Sequence, residues 1–167
     1  MKYAVEFKWK TLNIVLESNE FGLVNLNFCR LNEEAKSNEV LTKTLLLLDQ
    51  YFNGRKPNFN KILFSLSGTK FQMDVWRTLT YIPYGTVVTY NEIAKVLAAN
   101  YGIKKMSAQA VGQAVAHNPL PIIIPCHRVV GSNNNLGGYS KGIALKKELL
   151  ALEGIDVSKY RIKKNSQ

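Results

Sequence analysis

"TYNEIAKVLAANYGIKKMSAQAVGQAVAHN", residues 89–118, decides the fold of its half of the chain. It opens with Thr89 in an N-cap position and Glu92 three residues on, the reciprocal pair of a capping box. A second helix starts at Ser107, another cap residue, and stops at Asn118-Pro119. The loop between them, residues 101–106, is longer than the tight turn of most helix-turn-helix units. Downstream, an extended "PLPIIIP" (119–125) leads to Cys126 and His127, and "RVVGSNNNLGGY" (128–139) reads as a strand, a flexible loop and a second short strand. Two helices followed by such a hairpin-like wing are the pattern of a winged helix-turn-helix. Upstream, "TKFQMDVWRTLTYI" (69–82) sets Phe71, Val75, Leu79 and Ile82 on one helical face. At the far end "KGIALKKELLALEG" (141–154) is an amphipathic helix stopped by Gly154, before a basic polar tail.

The N-terminal half has a different rhythm. "KYAVEFKW" (2–9), "LNIVLES" (12–18) and "GLVNLNFC" (22–29) are strand-like runs separated by polar turns, an antiparallel meander. In "SNEVLTKTLLLLDQYFNG" (37–54) the apolar Val40, Leu41, Leu45, Leu48 and Phe52 recur at helical spacing, with Gly54 at the stop. "NGRKPNFN" (53–60) has linker composition. The expectation is an α/β (α+β) protein with a small sheet-plus-helix domain over 1–66 and a helical, winged domain over 67–167.

The chain has 167 residues, 46% of them apolar, enough for a buried core. No run approaches the ~18 apolar residues of a membrane span, and "MKYAVEFKWK" carries charges where a signal peptide is apolar. No membrane association and a cytoplasmic location are therefore expected. Two cysteines, Cys29 and Cys126, exclude a disulfide framework, and with only His117 and His127 beside them a zinc site is not expected. The formal charge is +10, and it is uneven: residues 1–66 hold 9 Lys and Arg against 7 Asp and Glu, residues 67–167 hold 13 against 5. The excess points to a polyanionic partner for the half that contains Cys126.

The second helix of the pair, "AQAVGQAVA" (108–116), is odd for a base-reading element, which ordinarily carries Arg, Asn, Gln or Lys. Its small side chains suit either tight packing in a core or close approach to a narrow groove without sequence selection. Cys29 reads as a packing residue. Cys126 has His127 and Arg128 beside it and Glu153 as an orienting carboxylate later in the chain, neighbours that lower a thiol's pKa. These signals leave three readings: a cysteine hydrolase, for which the one distant histidine is His117; a winged-helix regulator, which needs no reactive thiol; and a protein that uses a thiol on DNA itself. The basic domain, the unselective helix and the activatable thiol together favour the third.

"IPCHRVV" (124–130), preceded by "HNPLPIII" and followed by "GGYSKGIALKKELLALEG", resembles the O6-alkylguanine-DNA alkyltransferase family, also called methylated-DNA–protein-cysteine methyltransferases. The likeness runs from Phe71 to Gly154 and includes "FQMDVWRTLTYIPYGTVVTYNEIA" (71–94), whereas the N-terminal half shares only the strand-then-helix order of the family's small ribonuclease-H-like domain. The resemblance implies repair of double-stranded DNA containing O6-alkylguanine: the base is flipped out and its alkyl group passes irreversibly, one per protein, to Cys126. O4-alkylthymine stays open as a second substrate, and the alternative is a non-catalytic lesion-binding or regulatory winged-helix protein.

By position, the resemblance makes His127 the base for Cys126, with Glu153 holding the imidazole. Asn118 braces the turn, and Tyr90 donates a proton to the departing guanine and crowds the 3′ phosphate. Val129 backbone groups bind the guanine edge, while Tyr139 and Ser140 form the far wall. Gln109, Ala110 and Gly112 on the groove helix, Lys104 and Lys105 before it, and Arg128 are the expected DNA contacts. Neither cofactor nor metal is implied, and a monomer is expected in solution. One departure stands out: Gln109 takes the place of the family's stack-filling arginine, and the chain has no Arg between Arg77 and Arg128. Gln113 stands where a second glycine is common.

Overall fold

Local capping and alternating burial account for most of the elements in the computed structural model, which describes residues 1–162. The chain divides into two compact units. The first comprises Met1–Gly68 together with Pro119–Ile123, and the second Thr69–Asn118 and the chain from Ile124 onward.

In the first unit β1 (Tyr3–Trp9), β2 (Leu12–Ser18) and β3 (Leu23–Asn27) form an antiparallel sheet in sequence order. The meander follows from turns too short for any crossover. Helix α1 (Glu39–Phe52) begins where the Asn38 side chain accepts from the Leu41 N–H, and it buries Leu41, Leu48, Tyr51 and Phe52. Phe52 stacks on Trp9 and Phe7 of β1, with centroids 4.4 and 5.7 Å away. The returning segment joins this unit through the Leu26 N–H, which donates to the Pro119 carbonyl at 2.9 Å.

That segment corrects a sequence expectation, since residues 119–125 are not an extended run. Pro119, Pro121 and Pro125 offer no N–H to a ladder, and the chain turns instead at residues 121–123, with Ile122 at φ +73°.

The second unit is built on α2 (Lys70–Leu79), α3 (Tyr90–Tyr101), α4 (Ala108–Ala116) and α5 (Ile143–Leu152). Capping boxes at Thr69/Gln72 and Thr89/Glu92 start α2 and α3, and Ser107 caps α4. Gly102 ends α3 in the left-handed region that a residue with a Cβ avoids. α2 and α3 both pack on α4, whose Val111, Ala114 and Val115 are buried, and the Trp76 indole donates to the Ala114 carbonyl at 2.8 Å. Small side chains on α4 allow this approach.

The wing is also not a hairpin. β5 (Val129–Val130) pairs in parallel with β4 (Val88–Thr89). No second strand follows among the described residues, because Asn133 and Asn134 curl through left-handed conformations. Leu136 N–H and Asn134 carbonyl pair instead with Arg161. Val130, Leu136 and Leu150 form a core beneath this loop. Of the expected basic tail, residues 163–167 lie outside the described residues. No helix among the described residues is long and apolar enough to cross a membrane.

Gly22 is where the first unit tolerates no side chain, since an added Cβ would lie 2.6 Å from the Leu63 carbonyl oxygen and 2.9 Å from the Phe64 carbonyl carbon. Both are backbone atoms, held by the Leu23–Leu63 and Ser65–Leu23 hydrogen bonds. Gly22→Ala is expected to destabilise this unit by about 1–3 kcal/mol, read as a lowered urea midpoint.

Candidate active site

α4 stops at His117, and Asn118, only 5% exposed, turns inward to donate from Nδ2 to the Ile124 carbonyl at 2.8 Å. The chain returns at Ile124 into a tight turn, Cys126 N–H to Ile124 carbonyl at 2.7 Å, and then a single 3-10 turn over Cys126–Arg128. In an extended segment adjacent residues would face opposite ways, but this winding replaces that alternation. Cys126 can reach a pocket while His127 and Arg128 turn into the interior.

Both of those basic residues converge on Glu153, at the C-cap of α5. His127 Nε2 hydrogen-bonds Glu153 Oε2, and Arg128 Nε donates to Oε1 at 2.8 Å. The Gly85 N–H donates to the same Oε1 at 3.0 Å, and Arg128 Nη1 to the Ile82 carbonyl at 2.6 Å. Burial favours the neutral carboxyl, but the hydrogen bonds from His127 and Arg128 and the guanidinium charge outweigh it and hold Glu153 at about 2. Burial pushes His127 below its ordinary value, so the resting imidazole is neutral and its Nε2 carries the proton given to Glu153. Arg128 is thus a correction: expected at DNA, it is 8% exposed and its guanidinium is spent inside the protein.

Cys126 lines a cavity of about 160 Å³ with Tyr90, Gly112, Val115, Ala116, Gly138, Tyr139 and Ser140. The Tyr139 hydroxyl is 3.9 Å from Sγ. The expected thiol depression is not found: burial raises Cys126 above an ordinary thiol, and hydrogen bonds from Asn118 and Tyr139 with the charge of Lys146 offset only part of that. Burial likewise raises Tyr90, keeping its hydroxyl protonated near neutrality. Val129 is fully buried, its N–H on the Cys126 carbonyl and its own carbonyl accepting from Lys146 Nζ at 2.6 Å.

Lys146 escaped the sequence reading. It has no exposed surface, bonds the Val129 and Gly138 carbonyls at 2.6 and 3.0 Å, and is lowered to about 8 by burial. A signal existed: Lys146, Leu149, Leu150 and Glu153 are spaced i, i+3, i+4, i+7, so the lysine shares the buried face. Among the DNA candidates, Lys104, Lys105 and Gln109 are exposed and Ala110 and Gly112 half-buried. A larger cleft of about 660 Å³ between α2 and α3 contains none of these residues. No cluster of three or more His, Cys, Asp or Glu suited to a metal exists among the described residues.

The chain matches the family description "6-O-methylguanine DNA methyltransferase, DNA binding domain" over residues 70–155, and the "ribonuclease-like domain" of the same family over 3–66. The methylated-DNA–protein-cysteine methyltransferase of Metallosphaera sedula is 39% identical over 142 residues, 84% of this chain and 86% of that one. That of Methanosarcina acetivorans is 39% identical over 92% of this chain and 99% of its own length. The crystal structure of the Mycobacterium tuberculosis O6-methylguanine methyltransferase superposes with a TM-score of 0.76 at 32% identity, covering 98% of this chain and 97% of that one. The same organism's OGT in complex with DNA gives 0.75 at 33% identity, over 95% and 94%.

Glu153→Gln leaves the Arg128 guanidinium buried without its counter-charge, and a loss of about 3–5 kcal/mol is expected in chemical denaturation. Because the folded carboxyl titrates at about 2 against an ordinary 4.5, its contribution is present above pH 4.5 and is lost as pH falls toward 2. The wild type should weaken through that window, and the variant should lack this part of the acid sensitivity.

Proposed function

Because the chain belongs to the 6-O-methylguanine DNA methyltransferase family, we propose that Cys126 is the acceptor that takes the alkyl group from O6-alkylguanine in duplex DNA. The protein is a methylated-DNA–protein-cysteine methyltransferase and acts in DNA repair. The observation that carries the acceptor assignment is the buried thiol lining a small pocket together with Tyr90, Tyr139, Ser140 and residues of α4.

The chemistry follows from the tautomer. Since Nε2–H is given to the ionised Glu153, the lone pair of His127 lies on Nδ1, which takes the thiol proton, directly or through a water. Deprotonating a buried thiol is unfavourable until an alkylated base enters. Asn118, Tyr139 and the Lys146 charge then support the thiolate as it forms. Sγ bonds the alkyl carbon as the carbon–O6 bond breaks in line. Tyr90, kept protonated by its burial, gives the proton that restores guanine. The thioether has no hydrolytic exit, so each chain acts once.

The second lone pair of the Val129 carbonyl receives the guanine edge, Ser140 lies near the substrate oxygen, and Tyr139 covers base and alkyl group. On the DNA side, α4 enters the groove with Ala110 and Gly112 close to the backbone, Gln109 fills the place of the flipped base, and Lys104 and Lys105 contact phosphate. Residues 67–167, apart from Pro119–Ile123, which fold with the first unit, make up this acceptor domain, and 1–66 belong to a separate domain without part in the chemistry. The protein works as a monomer, in the cytoplasm.

Intact-protein mass spectrometry with peptide mapping, after incubation with a duplex bearing one O6-methylguanine, tests the assignment. A single added methylene on the peptide holding Cys126 is expected, and Cys126→Ala should show none while still retaining the alkylated duplex. Because the thiol proton passes to an imidazole that burial keeps neutral, the single-turnover rate should be level through the neutral range and fall only in acid, where His127 becomes protonated and can no longer accept it. A Cys126→Ala protein that still gains mass would refute the acceptor; an unmodified wild type that binds the lesion would make the chain a lesion sensor.

A further inference from the structure

From Ser107 through Asn118, α4 and its caps contain one ionisable side chain, His117. The exposed positions Gln109, Gln113 and His117 recur at i, i+4 and i+8, one stripe along the helix, and His117 ends it. We propose that His117 is a DNA contact that works only when doubly protonated, clamping a backbone phosphate beside the flipped nucleotide; this rests on the reading above that α4 faces DNA.

Geometry fixes the chemistry. His117 Nδ1 lies 2.7 Å from the Gln113 carbonyl oxygen. A carbonyl only accepts, so Nδ1 must carry the hydrogen. In the neutral ring Nε2 is then bare and repels a phosphate oxygen. A second proton on Nε2 turns the exposed edge of the ring into a donor with a full positive charge. That charge also sits at the C-terminal end of α4, where the helix dipole favours a cation. The Gln113 bond orients the ring before DNA arrives, so little side-chain freedom remains to be lost on binding.

The location gives the contact its use. Ala116, one residue before, lines the acceptor pocket, and Asn118, one residue after, holds the Ile124 carbonyl of the acceptor turn. A phosphate held at His117 is therefore adjacent to the pocket mouth. The other charged and titratable groups around α4 are engaged or lie on neighbouring helices. On α2 Lys70 pairs with Asp74, which also accepts from Tyr101, and Arg77 borders the α2–α3 cleft. On α3 Glu92 accepts from the Thr89 N–H, Tyr90 faces Gly112, and Lys95 is exposed. Among the described residues the ring's hydrogen-bond partner is Gln113 alone.

The test is fluorescence anisotropy with a short unmodified duplex at 0.15 M salt, at about pH 5.5 and pH 8.0, on wild type, His117→Ala, His117→Lys and Ala110→Glu. One phosphate contact changes log K against log salt by about 0.9, which amounts to about fivefold in affinity at this salt. Wild type should bind about fivefold tighter at the lower pH, with proton uptake visible calorimetrically in two buffers of different ionisation enthalpy. His117→Ala should bind as the wild type does at pH 8.0 and lose the step, while His117→Lys should bind tightly at both. A pH step that survives in His117→Ala, or no step in wild type, overturns the proposal. Ala110→Glu separates the premise: if it abolishes binding while His117→Ala changes nothing, only the histidine's role falls. If it leaves binding intact, α4 is not the DNA face and both fall.

Discussion

One ionised carboxylate organises the second unit. Glu153, at the last turn of α5, gathers the imidazole of His127, the guanidinium of Arg128 and the Gly85 N–H on its two oxygens. The donors come from two separate stretches of chain: the Cys126–Arg128 turn supplies two and the loop after α2 the third. A lone carboxylate in this interior would neutralise itself, and the arginine is what keeps it charged. The tautomer of His127, the direction of its lone pair and the pitch of the Cys126–Arg128 turn all descend from that charge.

The Cys126 thiol is not pre-ionised, which fits the single use proposed for it. A standing thiolate would react with any electrophile that entered a 160 Å³ pocket. Burial keeps Cys126 protonated, while Asn118, Tyr139 and Lys146 lower the cost of its anion. Lys146 does this from a constrained position, its ammonium clipped to the Val129 and Gly138 carbonyls on the two sides of the site. With a pKa of about 8, it is charged over much of the neutral range without being free to wander.

What the sequence revealed and concealed divides along physical lines. Caps are local, so Thr89, Glu92 and Ser107 mark α3 and α4 where the structure has them, and the meander is legible from the alternation in β1 to β3. Arg128 was misread because a basic residue in the basic half of the chain looks like a phosphate contact, and only the fold shows its guanidinium bonded to Glu153 and the Ile82 carbonyl. Lys146 was missed because a charged residue on a helix is assumed to face solvent. The wing was misjudged because strand propensity at Val129 and Val130 says nothing about their partner, which is β4, running parallel.

Two glycines near Cys126 show how the pocket and the fold make different demands. At Gly137 a Cβ would lie 3.2 Å from the Tyr90 ring and 3.3 Å from the Gly131 nitrogen, on a backbone at φ +77°. The fold alone excludes a side chain there. At Gly112 the same atom would come no closer than 3.7 Å to Tyr90, an ordinary contact, and the backbone is helical. Packing would accept alanine, which is better in a helix by about 1 kcal/mol. Gly112 also lines the pocket of Cys126, where a methyl group beside Tyr90 would take up part of its small volume. The glycine in α4 is therefore explained by the space the pocket keeps open, at a small loss of helix stability.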